Sequence, residues 1–126
     1  MNKYGLTALE AIQIIEAGYC CDPKVAWDKA AEDLFGKHSS GKQKLSPRCA
    51  FLGLCEEGMV RGIAPSDYCN SVKNKDYALR AVALLKKDPA LATKKNDLWQ
   101  KAAGLSKVHN NQMDVVLALW EHGLIK

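Results

Sequence analysis

The stretch Ser46-Pro-Arg-Cys-Ala-Phe-Leu-Gly-Leu-Cys-Glu-Glu-Gly-Met-Val-Arg-Gly-Ile63 decides the fold, because it has the pattern of a complete helix with signals at both ends. Ser46 is predicted to cap the helix N-terminus, and Pro47 lies in the first turn, where its missing N–H costs nothing. Gly58 is predicted to end the helix with a positive φ, the left-handed conformation that glycine adopts most easily. The last stretch of the chain, 116–126, repeats this pattern and places Gly123 at the matching position.

The composition is that of an ordinary globular protein. The 126 residues are 48% hydrophobic and 25% charged, enough for one domain over residues 1–126 with its own core. No apolar run approaches a membrane span in length, and no secretory signal is recognisable before Glu10. The five cysteines are an odd number without disulfide-scaffold or metal-site spacing, which favours reduced thiols. We therefore expect a cytoplasmic protein with no metal, no cofactor and no membrane contact.

Turn signals divide the chain into helices, and no convincing period-2 run separates them, so the sequence predicts an all-α fold. Thr7 and Glu10 form a capping box that predicts the start of the first helix. The segment 64–75, rich in Pro, Ser and Asn, is predicted to link two halves. The remaining predicted helix starts are Asp22-Pro23, about Asp76, Asn96, and Asn110 or Asn111.

Four sequence blocks recur in the same order in the two halves. One pairs 27–31 (WDKAA) with 99–103 (WQKAA), and another pairs Leu52–Arg61 with Leu117–Lys126. Any one block is compatible with chance among Ala- and Leu-rich helices, but the four blocks in the same order indicate a true repeat. We therefore predict a duplicated three-helix unit of about six helices, with repeats at about 7–63 and 76–126, packed with pseudo-twofold symmetry as one compact domain.

A basic segment lies between the second and third predicted helices. From Gly36 to Arg48 the chain has four cations and no acid, which equals the whole net charge of +4. Without an apolar residue before Leu45, it is expected to be a mobile loop. Weak, salt-sensitive contacts with phosphate or nucleic acid are predicted, since no aromatic residue is present to stack on a base. The candidate contact residues are Lys37, His38, Lys42, Lys44 and Arg48.

The sequence contains no complete motif for a phosphate-binding loop, a DNA-reading helix or a catalytic site. Gly36-x-x-x-x-Gly41-Lys42 resembles the start of a phosphate-binding loop, but a helix precedes it and Gln43 replaces the required Ser or Thr. No recognition helix follows the glycine turns, which excludes a helix-turn-helix DNA reader. No nucleophile–base arrangement or glycine elbow is recognisable.

A further prediction concerns the burial of the three tryptophans. Trp27, Trp99 and Trp120 are all expected to be largely buried, and Cys55 is expected in the core because it takes the place that Trp120 has in the second half. If Trp120 is exposed instead, it and His122 become candidate contacts for a protein partner.

Residues 50–63 (AFLGLCEEGMVRGI), together with 111–125, resemble a family of small bacterial proteins classed as a domain of unknown function, whose members also turn up as mobile gene-cassette products. The resemblance covers nearly the full chain and implies bacterial origin, but no activity or ligand. By exclusion, we expect a non-enzymatic interaction or self-association module of the bacterial cytoplasm, with an unknown protein partner. The alternatives are a weak nucleic-acid or phosphate binder acting through the Lys37–Arg48 loop, and an enzyme with a pocket between the two repeats.

Overall fold

The computed structural model describes residues 2–105 and 107–126, and this part of the chain is all-helical, as predicted. It contains no strand, only an isolated antiparallel bridge between Val60 and Ile125. None of the described helices is both long and apolar enough to cross a bilayer. The elements in chain order are α1 (Lys3–Glu16), α2 (Pro23–Phe35), α3 (Leu45–Glu56), α4 (Val72–Lys87), a 3-10 helix (Pro89–Thr93), α5 (Lys95–Ala103) and α6 (Gln112–Glu121).

Local signals account for several helix ends. Asp22 caps α2 by accepting a hydrogen bond from the Lys24 N–H at 2.9 Å, and Pro23 fills the first turn. Ser71 caps α4 in the same way, through the N–H of Asn74 at 3.3 Å. These short polar side chains satisfy N–H groups that the first helical turn leaves without a partner.

The predicted start of α1 is wrong. The helix begins at Lys3, because Asn2 caps it by accepting a hydrogen bond from the Tyr4 N–H at 2.6 Å. Thr7 is buried inside the helix, where its hydroxyl donates to the carbonyl of Lys3 at 2.7 Å. The capping-box pattern at Thr7 and Glu10 therefore lies within a helix that has already begun.

Other predicted caps are also wrong. Ser46 lies inside the first turn of α3, and its Oγ accepts a hydrogen bond from Asn110 Nδ2 at 3.1 Å instead of capping the helix. α4 begins at Val72 rather than Asp76, because Ser71 caps it earlier. Asn96 lies inside α5, which begins at Lys95. The predicted start of the last helix at Asn111 is confirmed, since Asn111 is the N-cap residue of α6, but it has a φ of 69° and makes no side-chain cap bond.

α3 contributes three of the large, fully buried side chains of the core. Phe51, Leu52 and Leu54 are fully buried, and the ring of Trp27 from α2 packs on Phe51 with centroids 5.3 Å apart. Burying a side chain of this size contributes about 1.5–3 kcal/mol. Cys55 is fully buried, as predicted. Among the tryptophans, Trp27 and Trp99 are buried as predicted, whereas Trp120 is only half-buried.

The helices of the two halves interlock. α1 packs mainly against α2 and α6, α4 packs mainly against α3 and α5, and α3 packs against α6. The first helix of each half therefore lies on the last helix of the other half. Gly53 allows the close approach of α3 to α4, because a Cβ at this position would lie only 2.7 Å from the Cβ of Lys75.

α3 and α6 each end in a turn of the same type. Gly58 and Gly123 have φ values of 70° and 69°, which confirms the predicted positive φ at both positions. In each turn the next residue donates its N–H five residues back, Met59 to Leu54 at 3.0 Å and Leu124 to Leu119 at 2.9 Å. The chain segments after the two turns then pair with each other, since Arg61 N donates to Leu124 O and Lys126 N donates to Met59 O, both at 2.8 Å.

Candidate binding site

A groove with an apolar floor and a basic rim runs between α4 and α5. Its floor is formed by Ala83 and Leu84, and its rim by the cations Arg80 and Lys87 of α4 and Lys101 of α5. On α4 these residues recur at helical spacing, so they share one face of the helix. The groove has a volume of about 260 Å³. We call this surface the basic groove; it can hold an apolar side chain on its floor while the rim cations contact acidic groups.

Charge is distributed unevenly between the two helix pairs. Residues 72–104, which include α4 and α5, carry eight Lys or Arg and only three Asp or Glu. Residues 2–36, which include α1 and α2, carry three Lys and six Asp or Glu. The α4–α5 pair of helices thus carries a net positive charge and the α1–α2 pair a net negative charge, although Lys75 and Lys95 pair with acids from other segments.

Three of the four cations in the 36–48 loop, Lys42, Lys44 and Arg48, contact residues outside the loop. Arg48 makes two hydrogen bonds to the carboxylate of Asp28, at 2.9 and 3.2 Å, and Lys42 Nζ lies 3.5 Å from Glu32. These two acids belong to α2, whose outer face neutralises two of the four loop cations. Lys42 and Arg48 are half-buried, which leaves them poorly placed to contact phosphates.

Tyr4 of α1 also holds this loop in place. Lys44 Nζ lies 5.3 Å from the ring centroid of Tyr4. When the side-chain amide of Asn111 is oriented so that its nitrogen donates to Asp114, Lys44 Nζ also donates to its oxygen at 2.7 Å. Tyr4 also donates from its hydroxyl to the carbonyl of Gly41 at 3.3 Å. Of the five candidate loop residues, only Lys37 and His38 are exposed. The prediction that this loop contacts phosphate or nucleic acid remains a prediction, with fewer available cations.

Trp120 and His122, the candidate partner contacts, lie near the C-terminus of α6. Trp120 is half-buried, and His122 is exposed with its Nδ1 3.0 Å from the carbonyl oxygen of Ala118. His122 also lines a surface groove of about 280 Å³ between α1 and α6, together with Leu9 and Leu124. Their role in partner contact stays a prediction.

The fold strongly shifts the pKa values of two thiols and one carboxylate. Burial raises the pKa of Cys55 far above its ordinary value and raises the pKa of Cys69 to about 11, so neither thiol is activated as a nucleophile. Glu56, at the end of α3, accepts hydrogen bonds from the N–H groups of Tyr68 and Cys69 and pairs with Lys75. The Lys75 bond, followed by the two N–H bonds, lowers the pKa of Glu56 to about 2.

A polar cleft of about 210 Å³ lies where α3, α4 and α6 begin. Ser46 of α3, Asn74 and Tyr77 of α4, Trp99 of α5 and Gln112 of α6 line it. Gln112 is only 3% exposed, and its Nε2 donates to Asn74 Oδ1 at 3.0 Å. We call this the polar cleft; its lining includes residues from both predicted halves.

These features define the class of protein, a small all-helical domain with a basic groove on one pair of helices and a polar cleft among helix N-termini. The chain belongs to a family of unknown function, DUF6979, whose model matches residues 1–126. This membership confirms the resemblance to an uncharacterised family. No curated protein and no solved structure matches the chain.

Sequence reasoning missed both the basic groove and the polar cleft. Along the chain, residues 36–48 stand out because they contain four cations and no acid. The eight cations of 72–104 do not stand out, because three acids lie among them. One signal was available: Arg80, Leu84 and Lys87 follow the i, i+4, i+7 spacing of a single helix face. Lys101 had no such signal, because only the packing of α5 on α4 brings it to this face.

Proposed function

We propose that this protein is a non-enzymatic interaction module that binds an acidic, amphipathic segment of a partner protein in the basic groove. The observation that carries this proposal is the combination of an apolar floor and a rim of three cations between α4 and α5. Such a groove accepts apolar side chains from one face of a bound helix and pairs with acidic side chains beside them.

The apolar floor favours a peptide over nucleic acid. A phosphate backbone would use the rim cations and leave Leu84 and Ala83 without a contact, whereas an amphipathic peptide would use both parts of the groove. No aromatic side chain lines the groove, and aromatic stacking is what gives single-stranded nucleic acids much of their affinity. Lys87 and Lys101 are exposed, so they can pair with a ligand without breaking the core.

In the first half of the chain, the α1–α2 face corresponds to the α4–α5 face that carries the basic groove, but its residues differ. The block 8–12 (ALEAI) aligns with 78–82 (ALRAV), so that Glu10 stands where the second half has Arg80. One oxygen of Glu10 is buried without a hydrogen-bond partner in the described part of the chain. Burial and the nearby Asp33 raise the pKa of Glu10. The α1–α2 face therefore supplies a control surface of opposite charge.

The proposal is tested with a fluorescein-labelled peptide of Glu and Leu whose leucines follow the i, i+3, i+4, i+7 spacing. Fluorescence anisotropy is measured against the wild type, the groove variant Lys87→Glu/Lys101→Glu, and the matched control Lys24→Glu/Lys29→Glu, which changes the net charge equally on the α1–α2 side. An exposed ion pair contributes about 0.2–1 kcal/mol, and charge reversal adds repulsion. We expect the groove variant to bind about 10-fold more weakly or worse, and the control to bind like the wild type.

Two further probes separate this proposal from its alternatives. A peptide of the same composition with shuffled leucines is expected to bind more weakly, because it cannot place its apolar residues on the floor of the groove. A DNA duplex is expected to bind weakly and to dissociate as salt approaches the physiological range. Equal binding of both peptides, or tighter binding of the duplex than of the amphipathic peptide, would contradict the proposal.

We also propose that the chain arose by duplication and keeps an approximate pseudo-twofold symmetry. Three observations support this: the exchanged packing of α1 on α6 and of α4 on α3, the identical turns at Gly58 and Gly123, and the pairing of the segments that follow them. Gly36 and Gly104 add a fourth, since both end their helices with similar φ values of 93° and 102°. The odd number of cysteines supports work in a reducing bacterial cytoplasm.

A further inference from the structure

We infer that the polar cleft binds a small oxyanion, either a carboxylate or a phosphate, carried on a short carbon skeleton. This site is separate from the basic groove, and the inference does not depend on the proposed function. The cleft holds about 210 Å³, less than the pockets that take drug-sized ligands, so it suits a ligand of few atoms.

The charge of the cleft selects an anion. Lys73 and Lys107 line it from opposite elements, α4 and the segment before α6, and none of its lining residues is acidic. Ser46, Lys73 and Gln112 each lie in the first turn of a helix, so the N-termini of α3, α4 and α6, where the helix dipole is positive, lie close to the cleft. Two ammonium groups and three helix N-termini together favour a negatively charged group.

A hydrogen-bond network holds the polar side chains of the cleft in place. Asn110 N donates to Gln112 Oε1 at 2.8 Å, and Gln112 Nε2 donates to Asn74 Oδ1 at 3.0 Å. Ser46 lines the cleft and its Oγ accepts from Asn110 Nδ2 at 3.1 Å, and among the described residues its hydroxyl hydrogen has no acceptor, so it can donate to a ligand. The site is thus formed before a ligand arrives, which lowers the entropic cost of binding.

Aromatic rings supply an apolar wall. The rings of Tyr77 and Trp99 meet edge to face with centroids 5.1 Å apart, and both line the cleft. Trp99 is held by a hydrogen bond from its Nε1 to the carbonyl of Lys107 at 3.0 Å. The oxyanion would therefore face the lysines and Ser46, while the carbon skeleton of the ligand packs on these rings.

The test is an NMR titration of the 15N-labelled full chain with sodium phosphate, acetate, succinate and glycerol phosphate, each against sodium chloride at matched ionic strength. The side-chain amide signals of Asn74 and Gln112 and the indole N–H of Trp99 report on the cleft directly. We expect saturable shifts of these signals with at least one oxyanion and not with chloride. A preference for succinate would identify a carboxylate ligand, and a preference for glycerol phosphate a phosphate ester.

Two variants make the test specific. Lys73→Gln/Lys107→Gln removes both exposed cations of the cleft, and we expect it to weaken oxyanion binding at least 10-fold. Lys87→Gln/Lys101→Gln removes the same charge from the basic groove, and we expect it to bind the oxyanion like the wild type. The inference is overturned if chloride produces the same shifts, if no probe saturates, or if both variants lose binding equally.

Discussion

Glu56 fastens the segment between α3 and α4, and replacing it with Gln tests how much this connection stabilises the fold. Its Oε1 accepts hydrogen bonds from the N–H groups of Tyr68 at 2.9 Å and Cys69 at 3.1 Å, and its Oε2 pairs with Lys75. A hydrogen bond to a charged group contributes about 1.5–3 kcal/mol. In Glu56→Gln the amide oxygen keeps part of the N–H bonding, but the ion pair is lost. We expect the free energy of unfolding to fall by about 2–3 kcal/mol.

The loss should depend on pH in a defined direction. The pKa of Glu56 lies at about 2 in the folded chain against an ordinary value of 4.5, chiefly because of the hydrogen bond from Lys75. Because the folded pKa is lowered, the carboxylate stabilises the fold fully above pH 4.5, and this stabilisation disappears as the pH falls toward 2. The difference between wild type and Glu56→Gln should therefore be complete at neutral pH and shrink steadily under acid.

The measurement is urea unfolding followed by tryptophan fluorescence, from about pH 7 down to about pH 2.5. Glu121→Gln is the matched control, because Glu121 stands at the corresponding end of α6 and is exposed. The control should change stability by less than about 0.5 kcal/mol. If Glu121→Gln costs as much as Glu56→Gln, or if the cost at Glu56 is the same at every pH, the reasoning is refuted.

Further predictions concern packing, the turns and the basic loop. Gly53→Ala should destabilise by about 1–3 kcal/mol in urea unfolding, because its Cβ would lie 2.7 Å from Lys75 Cβ. Gly123→Ala should cost about 1 kcal/mol, since its φ is 69° but nothing lies within 4 Å of the added Cβ; an unchanged midpoint would contradict this. Trp27→Ala should cost roughly 3–5 kcal/mol, measured by thermal melting. A variant with Gln in place of all four cations of 36–48 should fold like the wild type and should lose only weak binding to a DNA duplex at low salt. If the wild type binds the duplex at physiological salt and this variant does not, the nucleic-acid interpretation is restored.

Sequence reasoning succeeded where the deciding forces are local. The left-handed turns at Gly58 and Gly123 and the cap at Asp22 depend on residues within one helical turn, and the structure confirms all three. It failed at Thr7, because Asn2 offers an earlier cap and a buried threonine can bond back to the preceding turn. It could not foresee which charges meet across the fold.

The 36–48 loop and the basic groove both show that helix packing decides which charges meet. Arg48 looked available along the chain, but α2 brings Asp28 to it and neutralises it. Lys87 and Lys101 looked unrelated, but α4 and α5 place them on one groove. Charge patterning along a helical chain therefore predicts total charge, while the site that uses it depends on helix packing.

The packing of α1 on α6 has a consequence for how the protein is made. α1 is complete once Glu16 has been synthesised, and α2 can cover one side of it soon afterwards. Its other side waits for α6, whose last residue is Glu121. At about 5–20 residues per second, the side of α1 that packs on α6 stays uncovered for roughly 5–20 s. During that interval it is a place where chaperones, or the α6 of a neighbouring nascent chain, can bind before the protein has closed on itself.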